Sequence, residues 1–241
     1  MMCKNLHVLI LSCSCTAEDE STGALIRYTP AEAAYSDCWP EELPACDKYG
    51  ILSSNGGSYS FLVLSGSTNG PGTFAWTSNR NTGESNANTY FPNAEGIFVH
   101  NRKLEFVSKS RTRLFTLDLA AGTWESFDLT NPLFSINQPD QLAMMFGNTK
   151  YLFFCEDARA GQRSDIFGRD IGPGPDSGKF FTLVQATSTS TLGDRENTGL
   201  AFSPGNHFMY VTYQLEGVYK FWRTDGKPFS ASFADVKYHT N

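Results

Sequence analysis

The sequence is short of charge and of helical pattern, and each shortage narrows what the chain can be. Charged residues make up 18% of its 241 positions, while Phe numbers 19 and Tyr 10. So aromatic and so weakly charged a chain folds around a core and is no disordered tail. Its basic residues form no block. Arg111 and Arg113 come nearest to one and read as a solvated strand face. With a net charge of -6 and a pI of about 5.2, this excludes a nucleic-acid partner, because phosphate contacts need a dense Lys/Arg surface. No apolar run approaches the roughly 20 residues of a membrane-spanning helix.

Familiar catalytic and metal motifs are missing too. No Cys-x-x-Cys pair exists, which argues against structural zinc. Gly-x-Ser-x-Gly and His-Glu-x-x-His are absent. Gly172–Lys179 is no phosphate loop, since Phe180 follows the Lys. The histidines (His7, His100, His207, His239) are scattered, and His207 reads as a solvated turn residue. There is no Asn-x-Ser/Thr acceptor.

Of the six cysteines, Cys3, Cys13, Cys15, Cys38 and Cys46 lie in the first fifth, and Cys155 stands alone in an apolar run. Cys38 and Cys46 flank a Pro-containing loop and would form a disulfide in an exported protein. The N-terminus has two readings. Met1 to Ala17 resembles a weak signal peptide cut after Ala17. Leu6–Cys13 also reads as a plain strand.

Short strands separated by Gly, Asn, Asp and Pro recur along the rest, which predicts an all-β fold. They are Phe61–Leu64, Thr73–Thr77, Gly96–Val99, Lys103–Ser108, Arg113–Leu119, Thr123–Leu129, Lys150–Cys155, Lys179–Val184, Leu200–Ser203, Phe208–Tyr213, Val218–Arg223 and Ala231–Val236. Pro30–Ala34 is the one short helix candidate.

These strands repeat. Glu95-Gly96-Ile97-Phe98, Asp140-Gln141-Leu142-Ala143 and Glu196-Asn197-Thr198-Gly199-Leu200-Ala201 each open on an acid and enter a strand. Polar turns at Asn101-Arg102, Gly147-Asn148 and Gly205-Asn206 lead into aromatic-rich second strands. Third strands follow at Leu114–Leu117, Phe180–Leu183 and Val218–Phe221. The extra length of the middle repeat falls in Ala158–Gly178. Four short strands per 40–50 residues is the period of a β-propeller blade; a β-sandwich is the alternative. The prediction is therefore a β-propeller of four-stranded blades, incomplete at about 4–5 blades. Residues 1–89 would hold partial blades with the Cys/Pro-containing loop, and residues 90–241 three consecutive blades. Exposed edges left by the missing blades would favour an association partner.

The first strand of each blade lines a propeller's channel, so Glu95, Asp140 and Glu196 would form a ring, with Glu156 and Asp157 able to join it. Carboxylates that close repel, and a hard cation such as calcium relieves them. The second candidate is the run Asp165-x-x-Gly168-x-Asp170 with Asp176, either a calcium loop or a plain insertion.

Glu95-Gly96-Ile97, Gln138-Pro139-Asp140-Gln141, Phe154-Cys155-Glu156-Asp157, the stretch from Glu196 to Pro204 and the closing Arg223-Thr224-Asp225-Gly226-Lys227-Pro228-Phe229 together resemble the PhoX-type alkaline phosphatases and their uncharacterised relatives. The resemblance covers roughly residues 72–236. It implies a six-bladed propeller, calcium and iron held by carboxylates, and metal-assisted hydrolysis of phosphate monoesters in an extracellular or periplasmic setting. It makes Glu95 and Glu196 metal ligands, with Asp140 and Glu156 beside them. Two positions depart from the family. Asn93 stands where the phosphatases carry an Arg, and Ser14-Cys15-Thr16-Ala17-Glu18 stands for their iron-binding Ser-Cys-Glu-Glu. An Arg fork grips phosphate as Asn cannot, so the alternative is a catalytically silent propeller serving as a binding module.

Overall fold

The computed structural model describes residues 9–12, 23–29, 57–130, 136, 138–148, 150–157, 164–185, 196–214, 216–231 and 236–239. The expectations for Cys3, Cys13, Cys15, Ala17, Cys38, Cys46 and the helix Pro30–Ala34 lie outside these residues. The described chain is mostly β, with antiparallel pairing throughout and one α-helix.

Strands β1 (Leu9–Ser12), β2 (Leu25–Thr29), β3 (Ser58–Gly66) and β4 (Gly72–Thr77) form one up-and-down run. Helix α1 (Arg80–Tyr90) follows. Then come β5 (Ala94–His100), β6 (Lys103–Ser108), β7 (Arg113–Asp118) and β8 (Thr123–Asp128). The last strands of these two runs pair through Gly72–Trp124 and Thr73–Thr123, which merges them into an eight-stranded sheet. A four-stranded sheet holds β9 (Pro139–Met144), β10 (Tyr151–Glu156), β11 (Ile166–Asp170) and β12 (Phe180–Val184). A three-stranded sheet holds β13 (Asn197–Phe202), β14 (Met209–Tyr213) and β15 (Gly217–Phe221).

Alternation along the strands explains how the sheets pack. In β10, Tyr151, Phe153 and Cys155 join one apolar cluster, with Phe202, Met209 and Val211 of the following sheet. Leu152 and Phe154 turn the other way, towards Val107 and Leu114 of the preceding one. Side chains on a strand point alternately to opposite faces. A strand buried on both faces therefore reads as the unbroken run Tyr-Leu-Phe-Phe-Cys, with no polar positions in alternation. A third layer, of Leu62, Leu64, Phe91, Phe106, Phe115 and Trp124, fills the space around the helix and β1–β8.

Three expectations need correction. The middle repeat's third strand is β11, inside the stretch read as an insertion; Phe180–Leu183 belongs to the fourth strand. The short run Ile-Phe-Gly-Arg-Asp carries too little alternation to stand out. Helix α1 lies where no helix was expected. It is polar, and only Gly83 and Ala87 are buried. Asn79 caps it by accepting from the Thr82 amide at 3.1 Å, and a Cβ at Gly83 would lie 2.3 Å from Phe61 Cβ. The helix thus docks on small residues, which carry no hydrophobic signal. Finally, neither Ala231 nor Val236, the ends of the strand expected over Ala231–Val236, lies in a strand. Phe229–Ala231 is a 3-10 turn, and residues 232–235 lie outside the described set.

The opening strands β5, β9 and β13 lie side by side. At Gly96 the approach is so close that a Cβ would stand 2.4 Å from Leu142 N and 2.5 Å from Asp140 O. These neighbouring strands carry the acidic residues singled out above.

Candidate functional site

The ends of β5 and β9 share one local design. The amide of Lys109, just past β6, donates to Asn93 O at 2.9 Å, and that of Asp157, just past β10, donates to Gln138 O at 2.9 Å. Both acceptors have left-handed backbone, with φ 50 at Asn93 and φ 48 at Gln138. A register shift follows between Ala94 and Ile97 in one strand and opposite Phe154–Glu156 in the other. Such a bulge re-aims the side chains around it, here those of Glu95 and Asp140.

In the third sheet the same bond runs from Gln214 N to Glu196 O at 2.9 Å, with the shift between Asn197 and Gly199. Glu196 therefore corresponds to Asn93 and Gln138. Thr198, and not Glu196, corresponds to Glu95 and Asp140. The sequence alignment of the three acids was offset by two residues in the last repeat, because the Glu there precedes the strand.

Glu196 joins the cluster all the same. Its carboxyl and that of Asp140 act on each other. Burial pushes Asp140 up to about 7, helped by the charge of Glu95 and opposed by Lys109. Glu196 is pushed up to about 7 as well, by burial and then by the charges of Asp157 and Asp140. Two carboxyls this close share one proton more readily than they bear two charges. Lys109 supplies the cationic counterweight. Its ammonium, 8% exposed, pairs with Asp157.

Glu156 is buried, and its Oε2 accepts from the Asp165 amide at 3.1 Å. The next residue, Asp157, acts on both Asp140 and Glu196 through its charge. Cys155 lies nearby, its Sγ 3.1 Å from Asn197 O. Burial, with the charge of Asp140 second, pushes this thiol well up. The calcium-loop reading of Asp165, Gly168 and Asp170 fails, because they lie at and within β11. There Asp170 accepts from Tyr238 Oη at 2.7 Å and from the Gly172 amide at 3.0 Å. Asp176 pairs with Lys179 at 2.7 Å.

Lys109 went unnoticed in the sequence. Its only signal is position: it follows the second strand of its repeat as Asp157 follows the next.

The carboxylate oxygens suit a hard cation in kind. Among the described residues, however, no group of three or more His, Cys, Asp or Glu side chains stands where it would hold one metal ion. As placed, the cluster is balanced by a lysine and a shared proton. The side-chain oxygen of Asn93 accepts from Ser110 Oγ. Among the described residues no helix is long and apolar enough to cross a membrane.

No protein-family model matches this chain, and no curated protein matches it.

Proposed function

We propose that the chain is part of a PhoX-like β-propeller, each up-and-down run being a blade, and that it acts as a cation-responsive binding module without phosphomonoesterase activity. The proposal extends to an extracellular or periplasmic setting, which rests on the resemblance alone. The observation that carries the reading is the meeting of Asp140, in β9, with Glu196, just before β13, and of both with like charges. Oxygen donors in that number favour calcium over softer metals. Glu95, Asp140, Glu196 and Asp157 would hold it once the shared proton leaves and Lys109 draws back. Iron would need Cys15 as well, which lies outside the described residues. A bound calcium would supply a concentrated positive charge able to attract an oxyanion.

Against hydrolysis stands Asn93, with no guanidinium fork and with its amide oxygen engaged by Ser110. The test is thermal unfolding at pH 8 with calcium and with chelator. Calcium should raise the melting temperature, since a ligand of the native state adds stability by mass action. Near pH 6, where the shared proton is still held, it should also release protons in unbuffered solution, and Glu196→Gln should remove both effects. No calcium-dependent shift would refute the cation reading. Turnover of p-nitrophenyl phosphate by the unaltered chain would refute the silent one.

A further inference from the structure

Away from the carboxylate cluster, a cavity of about 300 Å³ lies between the sheet of β5–β8 and the end of β11 with the turn that follows it. Its floor holds Arg169 of β11, 7% exposed. The guanidinium carbon sits 3.8 Å above the Phe127 ring, and Nε has no hydrogen-bond acceptor. Beside it His100 turns Nε2 to Glu105 at 3.4 Å, while the buried Nδ1 has no partner. Two unpartnered buried nitrogens on the lining of one cavity are uncommon, because each gives up its hydration without regaining a hydrogen bond.

The acids around the cavity do not resolve this. Glu105 accepts from Thr116 Oγ1 at 2.5 Å as well as facing His100. Asp170 is engaged by Tyr238 and pairs with Lys150 at 3.4 Å. Glu125 lies exposed at the rim. The guanidinium is thus held against an aromatic face, with its donors kept for something else. Gly178 lies beside the guanidinium on the cavity wall, its Cβ position 3.7 Å from Arg169 Nη2.

We propose that this cavity binds a small polyhydroxylated carboxylate of monosaccharide size, that is, a sugar acid. The carboxylate would take the planar fork of Arg169, and ring hydroxyls would donate to Glu125 and to His100 Nδ1. A bare anion would pair with Arg169 and with Lys103, which also lines the cavity, but would offer no donor to Glu125 or to His100 Nδ1. A neutral sugar would leave Arg169 unpaired. Only a ligand bearing both groups satisfies both halves of the wall. The volume lies at the small end of ligand pockets, which suits a single ring.

Calorimetric titration of the whole chain at pH 7 with D-glucuronate, D-glucose and acetate tests this. Glucuronate should bind, and glucose and acetate at least tenfold more weakly. Arg169→Lys, which keeps the charge and loses the fork, should weaken glucuronate binding at least tenfold. Glu125→Gln is an exposed change that leaves folding alone, and it should weaken binding about threefold. Failure of the unaltered protein to bind glucuronate would overturn the proposal. So would acetate binding equally well, or indifference of binding to Glu125→Gln. None of these results depends on calcium.

Discussion

Removing the charge of Asp140 should make the protein more stable above neutrality, the reverse of what loss of an ion pair does. Asp140 is pushed from an ordinary 3.8 up to about 7. Between those values the folded chain holds a proton that the unfolded chain has released. Stability from this group is therefore complete below about pH 4 and is lost as pH rises through about 7. At about 1.4 kcal/mol per pH unit, the loss by pH 8 is about 4 kcal/mol. Glu196 adds no separate amount, because it shares that proton and is half exposed. For a chain of this size 1 kcal/mol moves the melting temperature by about 2–4 °C, so the expected fall from pH 5 to pH 8 is on the order of 10 °C. Asp140→Asn keeps the shape and can still donate to Glu196. Its melting temperature should barely change over that range, and at pH 8 it should exceed that of the unaltered protein. The assay is scanning calorimetry in calcium-free buffer at a series of pH values. A variant that melts lower than the parent at pH 8 would refute the reasoning.

Other substitutions test the surroundings. Lys109→Met removes the buried cation beside Asp157 and should destabilise by about 3 kcal/mol, more at pH 8 than at pH 5.5, read from urea midpoints. Gly96→Ala places a methyl group against the backbone of β9 and should cost about 2–3 kcal/mol; a neutral result would show that the opening strands are not so closely apposed. Phe153→Ala empties a fully buried position and should cost about 3–5 kcal/mol, measured by denaturant unfolding.

How much was legible beforehand depended on how each element is held. Strands β6, β7 and β8 were found almost to the residue, because apolar runs bounded by Asn-Arg, Arg-Thr and Ala-Gly turns leave one reading. Helix α1 was missed because its docking face is Gly83 and Ala87, which register in no hydrophobic pattern. Strand β11 was missed because Gly168 sits in its middle, where a Cβ would stand 2.1 Å from Phe181 Cζ; the sequence records a loop residue where packing demands a bare backbone. In the carboxylate cluster, Asp140 and Glu196 were found from the repeat, but for a partly mistaken reason, since Glu196 reaches the cluster from two residues before its expected register. Lys109 was not found, because which residue at a strand end joins the cluster is set by a bulge that leaves no mark in composition.

The pairing of β4 with β8 bears on how the chain meets other chains. An outermost strand usually offers a row of open amides and carbonyls to any passing strand. Here two such rows are turned on each other, and the seam is locked by Trp124 Nε1 donating to Ser65 O at 3.0 Å and by Ser126 Oγ donating to Asn69 O at 3.0 Å. Where they meet, β4 and β8 are closed to an intruding chain, and the sheet they share ends at β1 and β5. Among the described residues, strand addition, as in a fibril or a swapped dimer, is left to those two and to the end strands of the other sheets, β9, β12, β13 and β15. On β15 the Lys220 ammonium lies 4.3 Å from the centre of the Phe208 ring, a charge at the rim that discourages a second copy from lying alongside.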